Sequence, residues 1–299
     1  MSAGQAPLAE LRPLLAEIGD AKRVRVAGAP GSLAEQAFAR AWGRLVAGED
    51  PAAVALSETA AAVARARLAG IDGGVLRTAG LADDEALAVL RRSFDEVAGP
   101  LDPGAAADLR AALVVDPPHP PPPPLAGRLA AQPRAGATAP GRARVAVEPP
   151  ESHGDHCLTV AVYGVLVAPL FDADPVPPFL VGLAHHLHNV ALPDAGFAGE
   201  VLLGGALPGV MATLEERELA ALPEGLAGRL RRVLALRADA GPAEARAFHA
   251  ADVLDRVLQV HHHARAAAFT AEQALDDLDL VHAGPVQGFH LEVLSAAGL

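Results

Sequence analysis

The chain of 299 residues has one cysteine, few aromatic side chains and fewer basic than acidic groups. A lone Cys157 excludes an internal disulfide and a zinc site built from several thiolates, and it fits a reducing compartment. The formal net charge is -12. An acidic surface repels the phosphates of nucleic acids, so we expect no nucleic-acid polymer as a partner, whereas a small anionic substrate is compatible with a local binding site.

A hydrophobic run of the length that usually spans a membrane is also missing. The longest apolar stretch, 157–171, has fifteen residues, which is short for a span and suits a buried core helix. The first twenty residues contain early acids and no basic region leading into an apolar run, so we expect no signal peptide. With a bias toward Ala, Arg and Gly that is typical of bacterial proteins, the sequence predicts a cytoplasmic protein with no membrane partner. A homo-oligomer is compatible with it.

Two common catalytic motifs are absent. The glycines of "GAPGS" (28–32) are not followed by the Lys-Ser/Thr pair of a phosphate-binding loop, and no "GxSxG" nucleophile elbow occurs. Aromatic residues make up only 3% of the chain, so the core must be built from Ala, Leu and Val, which favours close-packed helices. We therefore predict an all-α protein.

Apolar residues before position 116 recur at helical spacing. The pattern predicts helices over 7–19, 32–48, 50–71 and 83–99. The segment "KRVRVAG" (22–28) alternates, and this pattern is compatible with a strand. We predict that residues 1–115 form a mainly helical N-terminal region. Its composition is not that of an active site, and packing, regulation and partner binding are all compatible with it.

A proline-rich segment follows. "DPPHPPPPPLAG" (116–127) holds seven prolines, which favour polyproline II and end any helix. The residues after it are rich in Gly, Pro and Arg and show no periodicity. We interpret 116–148 as a linker to a domain over 149–299. The alternative is a long surface loop of one larger domain.

Histidine is concentrated in the second half of the chain, where eleven of the twelve lie between His153 and His290. His156 opens an apolar stretch, and the adjacent His185 and His186 follow on a second apolar segment that we predict to be helical. Further on, Asp252 shares one polar edge of a predicted helix with three other side chains, His249, Asp255 and Gln259. Imidazole nitrogens combined with carboxylate oxygens suit Fe, Mn, Zn, Co or Ni rather than Ca or Mg alone.

Three segments in this order, "HCLTVAVYGVLVA", "GLAHHLHN" and "AADVLDRVLQ", resemble the HD-domain superfamily of metal-dependent phosphohydrolases. That family places a His on one helix, a His-Asp pair on a second and an Asp on a later one. The resemblance covers about residues 150–265 of this chain. It implies a helical bundle in which a divalent transition metal is held by four residues, His156, His185, His186 and Asp252.

The same resemblance implies an activity, the metal-dependent hydrolysis of a small phosphate ester, with nucleotides among the candidates. In this hypothesis Asp252 holds the metal and a water molecule, and Asp255 or Asp194 accepts the proton.

This chain departs from the family pattern at two positions. The pair reads His-His, which removes a negative charge and a bridging oxygen and favours a softer metal such as Fe or Zn over Mg. Asn189 stands where nucleotidase-like members often carry Glu, and an amide cannot act as a general base. Asp194 or Glu200 are the nearest carboxylates that could replace it.

Further candidates and two other functions stay open. His153 competes with His156 as the first ligand, His188 is a possible additional ligand, and Arg144, like Arg142, is a candidate for binding a phosphate or carboxylate. The chain could instead be a non-catalytic HD-like module that binds a protein. It could also be an HD-type iron oxygenase, but that relative needs extra histidines after the pair, and none occurs from 189 to 248, which favours a mononuclear site. Each group also has a purely structural interpretation, as a helix cap, a core imidazole or a solvated acid.

Overall fold

The computed structural model describes residues 5–146 and 148–266, with side chains from 8 to 264 apart from 147. His282 and His290 therefore lie outside the described residues. Every regular element in the described ranges is a helix, and the only β pairing there consists of two isolated bridges, Pro133–Ser152 and Ala137–Val145. The prediction of an all-α protein is confirmed for this part of the chain.

The described helices are joined by short turns, several of them of 3-10 type. In chain order their bounds are α1 (Gln5–Gly19), α2 (Leu33–Val46), α3 (Pro51–Leu68), α4 (Gly73–Thr78), α5 (Asp83–Val97), α6 (Pro103–Ala111), α7 (Pro124–Ala131), α8 (His153–Val167), α9 (Val176–Ala184), α10 (Gly196–Leu203), α11 (Leu207–Ala220), α12 (Glu224–Leu234) and α13 (Ala243–Ala266).

The early helices begin where their capping residues predict. Ser32 accepts from the backbone N–H of Glu35, whose side chain accepts from Ser32 N, a complete capping box at the start of α2. Asp50 caps α3 with Pro51 in its first turn. The strand considered for 22–28 is wrong, because Asp20–Lys22 form a 3-10 turn and no neighbouring strand exists in the described residues to pair with the segment.

Helix α8 lies at the centre of the fold. All of its side chains are buried, and it packs against α2, α3, α7 and α9. Side chains from both halves of the chain share one core, among them Trp42, Phe94, Tyr163 and Phe179. Because most side chains of α8 are apolar and all of them are buried, neighbouring helices must cover it on every side.

The proline-rich segment lies inside one compact unit, Met1–Leu258, and does not separate two units. Leu125 and Leu129 of α7 are buried against this core, and Gly43 lets the backbone at Pro120 approach so closely that a Cβ would lie 2.2 Å from the Pro120 carbonyl oxygen. The prediction that 116–148 is a linker between two domains is thus wrong, and these residues form a long segment within one larger unit. A second unit comprises Gln259–Leu299, and its described part is helical.

Two described stretches are long and apolar enough to cross a membrane by length and composition. The first, His153–Phe171, is the core helix α8 with its following turn, and 83% of its most apolar window is buried. The second stretch, Gly196–Ala220, has no buried residue in its most apolar window, and it exposes Phe197, Val201 and Leu202 on α10. The apolar run at 157–171 in the sequence indicates only the first of these stretches.

Candidate metal centre

His156 projects from the first turns of α8 and is fully buried. Its Nδ1 lies 2.7 Å from Oδ2 of Asp255 on α13. A carboxylate is an acceptor, so Nδ1 carries a proton and donates it to Asp255. The opposite ring nitrogen, Nε2, lies 3.1 Å from Nε2 of His185 and 3.4 Å from Oδ1 of Asp252.

His185 and His186 lie just beyond α9, which ends at Ala184, and not on the helix as predicted. His185 is the C-cap residue, and His186 leads into a 3-10 turn over Leu187–Val190. Pro175 is the N-cap residue of α9, and two further prolines lie in the first turn of the helix. Because the chain leaves the helix here, neighbouring histidines can turn toward the same point.

The hydrogen bonds of His185 fix which nitrogen is available. Its Nδ1 donates to the carbonyl oxygen of Gly182 at 2.8 Å, so Nε2 presents a lone pair toward His156. Arg237 donates to the His185 carbonyl oxygen at 3.1 Å and pairs with Glu215, which holds the turn in place. Burial, and then the neighbouring His156, lower the pKa of His185 to about 3. The ring is therefore neutral at pH 7.

His186 is oriented in the same way. Its Nδ1 lies 2.8 Å from Oδ1 of Asn189, whose Nδ2 donates to the Leu192 carbonyl oxygen at 2.9 Å. The amide oxygen therefore accepts the Nδ1 proton and leaves Nε2 as the free nitrogen. Burial, and then His185, lower the pKa of His186 well below its usual value. The Asn189 side chain therefore positions the ring of His186 and has no role as a general base.

The nitrogens of the three rings converge. One ligand atom from each of His156, His185 and His186 can be chosen so that all three lie within 4.8 Å of one another, a group that could hold a metal ion. Asp252, one turn before Asp255 on α13, adds an oxygen beside His156. Burial alone would raise the pKa of Asp252, but His156 and His185 lower it well below its usual range, so the carboxylate is ionised.

A buried charge network lies behind His156. Lys22, the only lysine in the chain, is 4% exposed and its Nζ contacts Oε1 of Glu151 at 2.5 Å and Oδ1 of Asp255. Glu151, His156 and Asp255 form a second group whose spacing could hold a cation, and the ammonium of Lys22 already lies between its two carboxylates. Burial opposes the charge of Lys22, but the two acids outweigh it and raise its pKa.

Lys22 and Glu151 were not among the residues predicted from the sequence. The sequence signal that could have indicated Lys22 is its rarity, because it is the single lysine among 24 basic residues. Asp255 was predicted to accept a proton, but the structure places it on the Nδ1 side of His156 with Lys22 on its other oxygen. It orients the ring rather than facing the convergent nitrogens.

The remaining candidates take different places. His153 is buried beside His186, with ring centroids 4.6 Å apart, and His188 lies 5.7 Å from the same ring. Asp194 accepts from the backbone N–H groups of Ala135 and Gly196, which occupies one site on each oxygen.

Two candidates lie on the surface. Glu200 is exposed on α10, and Arg144 is exposed, with Nη1 donating to the Ala135 carbonyl oxygen at 3.3 Å. Neither side chain joins the hydrogen bonds and ring contacts described for the histidine cluster. Glu200 is exposed because it lies on a solvent-facing position of α10. Arg144 is exposed because it lies in the extended segment before α8.

Comparisons of the chain with protein-family models, with curated proteins and with solved structures find no match. The function must therefore be inferred from the geometry of the cluster.

Proposed function

We propose that the protein is a metal-dependent hydrolase of a small phosphate ester, built on an HD-like helical bundle. The metal would be held by His156, His185, His186 and Asp252. One observation carries the proposal: each of the three histidines has its Nδ1 next to a fixed acceptor, and one ring nitrogen from each lies within 4.8 Å of the chosen nitrogens of the other two. Histidines that bind metals are oriented in this way by a carboxylate, a carbonyl or another acceptor on the second nitrogen.

The donor set fits a transition metal. Three imidazole nitrogens and one carboxylate oxygen suit Fe, Mn, Zn, Co or Ni better than Mg or Ca, which prefer oxygen ligands. His185 and His186 are neutral at pH 7 because burial lowers their pKa values, so no proton has to be removed from these rings before they bind. When bound, such an ion supplies polarisation of a phosphoryl oxygen and a lowered pKa for a water ligand.

The protein's own residues give the site an orientation. Asp255 and Lys22 hold His156 from behind, whereas Asp252 and His186 are partly exposed and mark the side from which a substrate can enter. Asp252 is ionised, with Oδ1 toward His156 and Oδ2 paired with Arg256 at 3.0 Å. The carboxylate thus stands at the entrance, where a water molecule and a substrate oxygen would arrive.

The first test is the metal content of the purified full-length protein by elemental mass spectrometry. Wild type is compared with the double variant His185→Ala/Asp252→Ala and with His119→Ala, a control at an exposed histidine of the proline-rich segment. We expect near-stoichiometric Fe, Mn, Zn, Co or Ni in wild type and control, and loss of it in the double variant. Phosphate release from a panel of phosphate esters, nucleotides included, is then measured with that metal.

Each outcome selects one hypothesis. Metal binding with metal-dependent phosphate release supports the proposal. Iron with a visible absorption spectrum and no phosphate release contradicts it and favours the HD-type oxygenase. If neither the purified nor the reconstituted wild type retains metal, the proposal is wrong and the non-catalytic module is favoured.

A further inference from the structure

Arg134 lies next to the start of α8, the helix that carries His153 and His156. Its backbone N–H donates to the Glu151 carbonyl oxygen at 2.8 Å, and the N–H of His153 donates to the Gln132 carbonyl oxygen at 3.0 Å. An isolated bridge between Pro133 and Ser152 joins the same two segments. The backbone around Arg134 is therefore tied to the residues that begin α8, the helix that carries His153 and His156.

The guanidinium of Arg134 has unused hydrogen-bonding capacity. Its Nε lies 3.6 Å from Oε2 of Glu151, an ion-pair distance, and the other oxygen of Glu151 is bonded to Lys22. Its Nη1 is buried and has no hydrogen-bond partner among the described residues. A buried donor without an acceptor is costly, especially on a charged group. An anionic ligand is a group that would satisfy such a donor.

His153 supplies a second unsatisfied group at the same place. It is 0% exposed, and neither ring nitrogen has a hydrogen-bond partner among the described residues. Its ring lies against that of His186 at 4.6 Å, and its Nε2 is 4.0 Å from Oδ2 of Asp194. The ring of His153 offers an N–H donor next to a predicted metal ligand.

Other cations near the cluster are already paired. Lys22 is bonded to two carboxylates, Arg256 pairs with Asp252, and Arg237 pairs with Glu215. No lysine or arginine occurs in the sequence from 145 to 216. The two arginines that the sequence favoured, Arg142 and Arg144, are exposed. This leaves Arg134 as the cation near the described cluster with a buried, unused donor.

We propose that Arg134, assisted by the ring of His153, binds the phosphoryl oxygens of the substrate beside the metal centre. This inference rests on the proposed function, since it assigns the anion-binding side of the same site. A guanidinium presents parallel N–H groups that match the oxygens of a phosphate. The substrate class is then a phosphate monoester, whose charged tetrahedral end lies between the convergent histidines and Arg134.

Binding of inorganic phosphate, measured by isothermal titration calorimetry, tests the proposal without relying on turnover. The titration uses full-length, metal-loaded wild type, Arg134→Gln, Arg134→Lys and the control Arg144→Gln. We expect Arg134→Gln to raise the phosphate Kd by about 10- to 100-fold, the loss typical of a charge-assisted hydrogen bond. Arg144→Gln should leave the Kd unchanged, and metal content should be equal in all four proteins.

Arg134→Lys tests whether a weaker phosphate affinity in Arg134→Gln arises only from a disturbed fold. It keeps a positive charge near Glu151, so it should fold, but it loses the planar pair of donors. A Kd between those of wild type and Arg134→Gln supports the proposal. Wild-type phosphate affinity in both Arg134 variants overturns it, as does a wild type that binds metal but no phosphate.

The two proposals can fail separately. If the protein hydrolyses phosphate esters with its metal but the phosphate Kd is unchanged in the Arg134 variants, only the proposed role of Arg134 is rejected. Phosphate binding that depends on Arg134 in a protein unable to retain metal supports the anion site and rejects the metal-dependent hydrolase.

Discussion

Replacing Lys22 by methionine is the most direct test of the charge network behind His156. Methionine keeps most of the length of the side chain, so the main change is the loss of a buried ammonium. At an effective dielectric constant of about 20, unit charges 2.5 Å apart attract by about 7 kcal/mol. Desolvation of the ammonium offsets several kcal/mol of this, and removal of one partner of a buried pair typically costs about 3–5 kcal/mol.

That loss would be a large part of the total stability, which is about 5–15 kcal/mol for a typical protein. Its pH dependence has a definite sign. The pKa of Asp255 is lowered, because Lys22 and His156 outweigh the effect of burial, and the pKa of Lys22 is raised. The contribution of Asp255 is present above its ordinary pKa of 3.8 and is lost as the pH falls through the lower folded value.

The contribution of Lys22 is complete below its ordinary pKa of 10.5 and is lost only as the pH rises through the higher folded value. The penalty of Lys22→Met should therefore be greatest between these limits and shrink in acid, where the abandoned carboxylates can take up protons. Urea unfolding of metal-free protein, followed by circular dichroism at several pH values, measures it.

Arg110→Met is the matched control, since Arg110 forms an exposed pair with Asp95. A surface ion pair contributes little to the free energy of unfolding, so this variant should unfold at the same urea concentration as wild type. The reasoning is refuted if Lys22→Met at neutral pH loses less than about 1 kcal/mol, or if its loss does not change between neutral and acid pH.

Two further predictions concern the turn that carries the histidine pair and the helix α9 that precedes it. Asn189→Leu removes the acceptor for His186 Nδ1, and we expect metal affinity to fall by about 10- to 100-fold in a chelator competition; unchanged affinity would mean that Asn189 does not position the ring. Gly182→Ala would place a Cβ 2.5 Å from the Ala161 backbone nitrogen. Because α9 would have to move away from α8, we expect a loss of about 1–3 kcal/mol in urea unfolding, whereas Gly127→Ala, whose added methyl meets no atom within 4 Å, should cause none.

Local features of the fold could be predicted from the sequence. The capping box at Ser32, the Asp50-Pro51 start of α3 and the apolar run of α8 are each encoded within a few residues. The convergence of His156 with the pair at His185 could be anticipated as well, because the resemblance supplied the order of the three elements.

Other features depend on contacts that no local pattern records. Lys22 meets Glu151 and Asp255 across 129 and 233 positions, so nothing near it in sequence indicated that it would be buried. The proline-rich segment has a linker's composition, but Leu125 and Leu129 attach it to the core. Arg134 acquires its place through backbone bonds to the residues before α8, whereas the sequence favoured arginines nearer to His153 in number.

The distance in sequence between Lys22 and Asp255 also has a consequence for biosynthesis. At about 5–20 residues per second, synthesis of the 233 residues between them takes roughly 10–50 s. During this time the ammonium of Lys22 lacks one of its two carboxylate partners, and the early helices can assemble around Trp42 without that ion pair. Asp252 and Asp255 leave the ribosome last among the residues of the centre. A nascent chain thus cannot assemble the complete centre before α13 emerges, and we expect metal retention to report a chain whose synthesis has passed that helix.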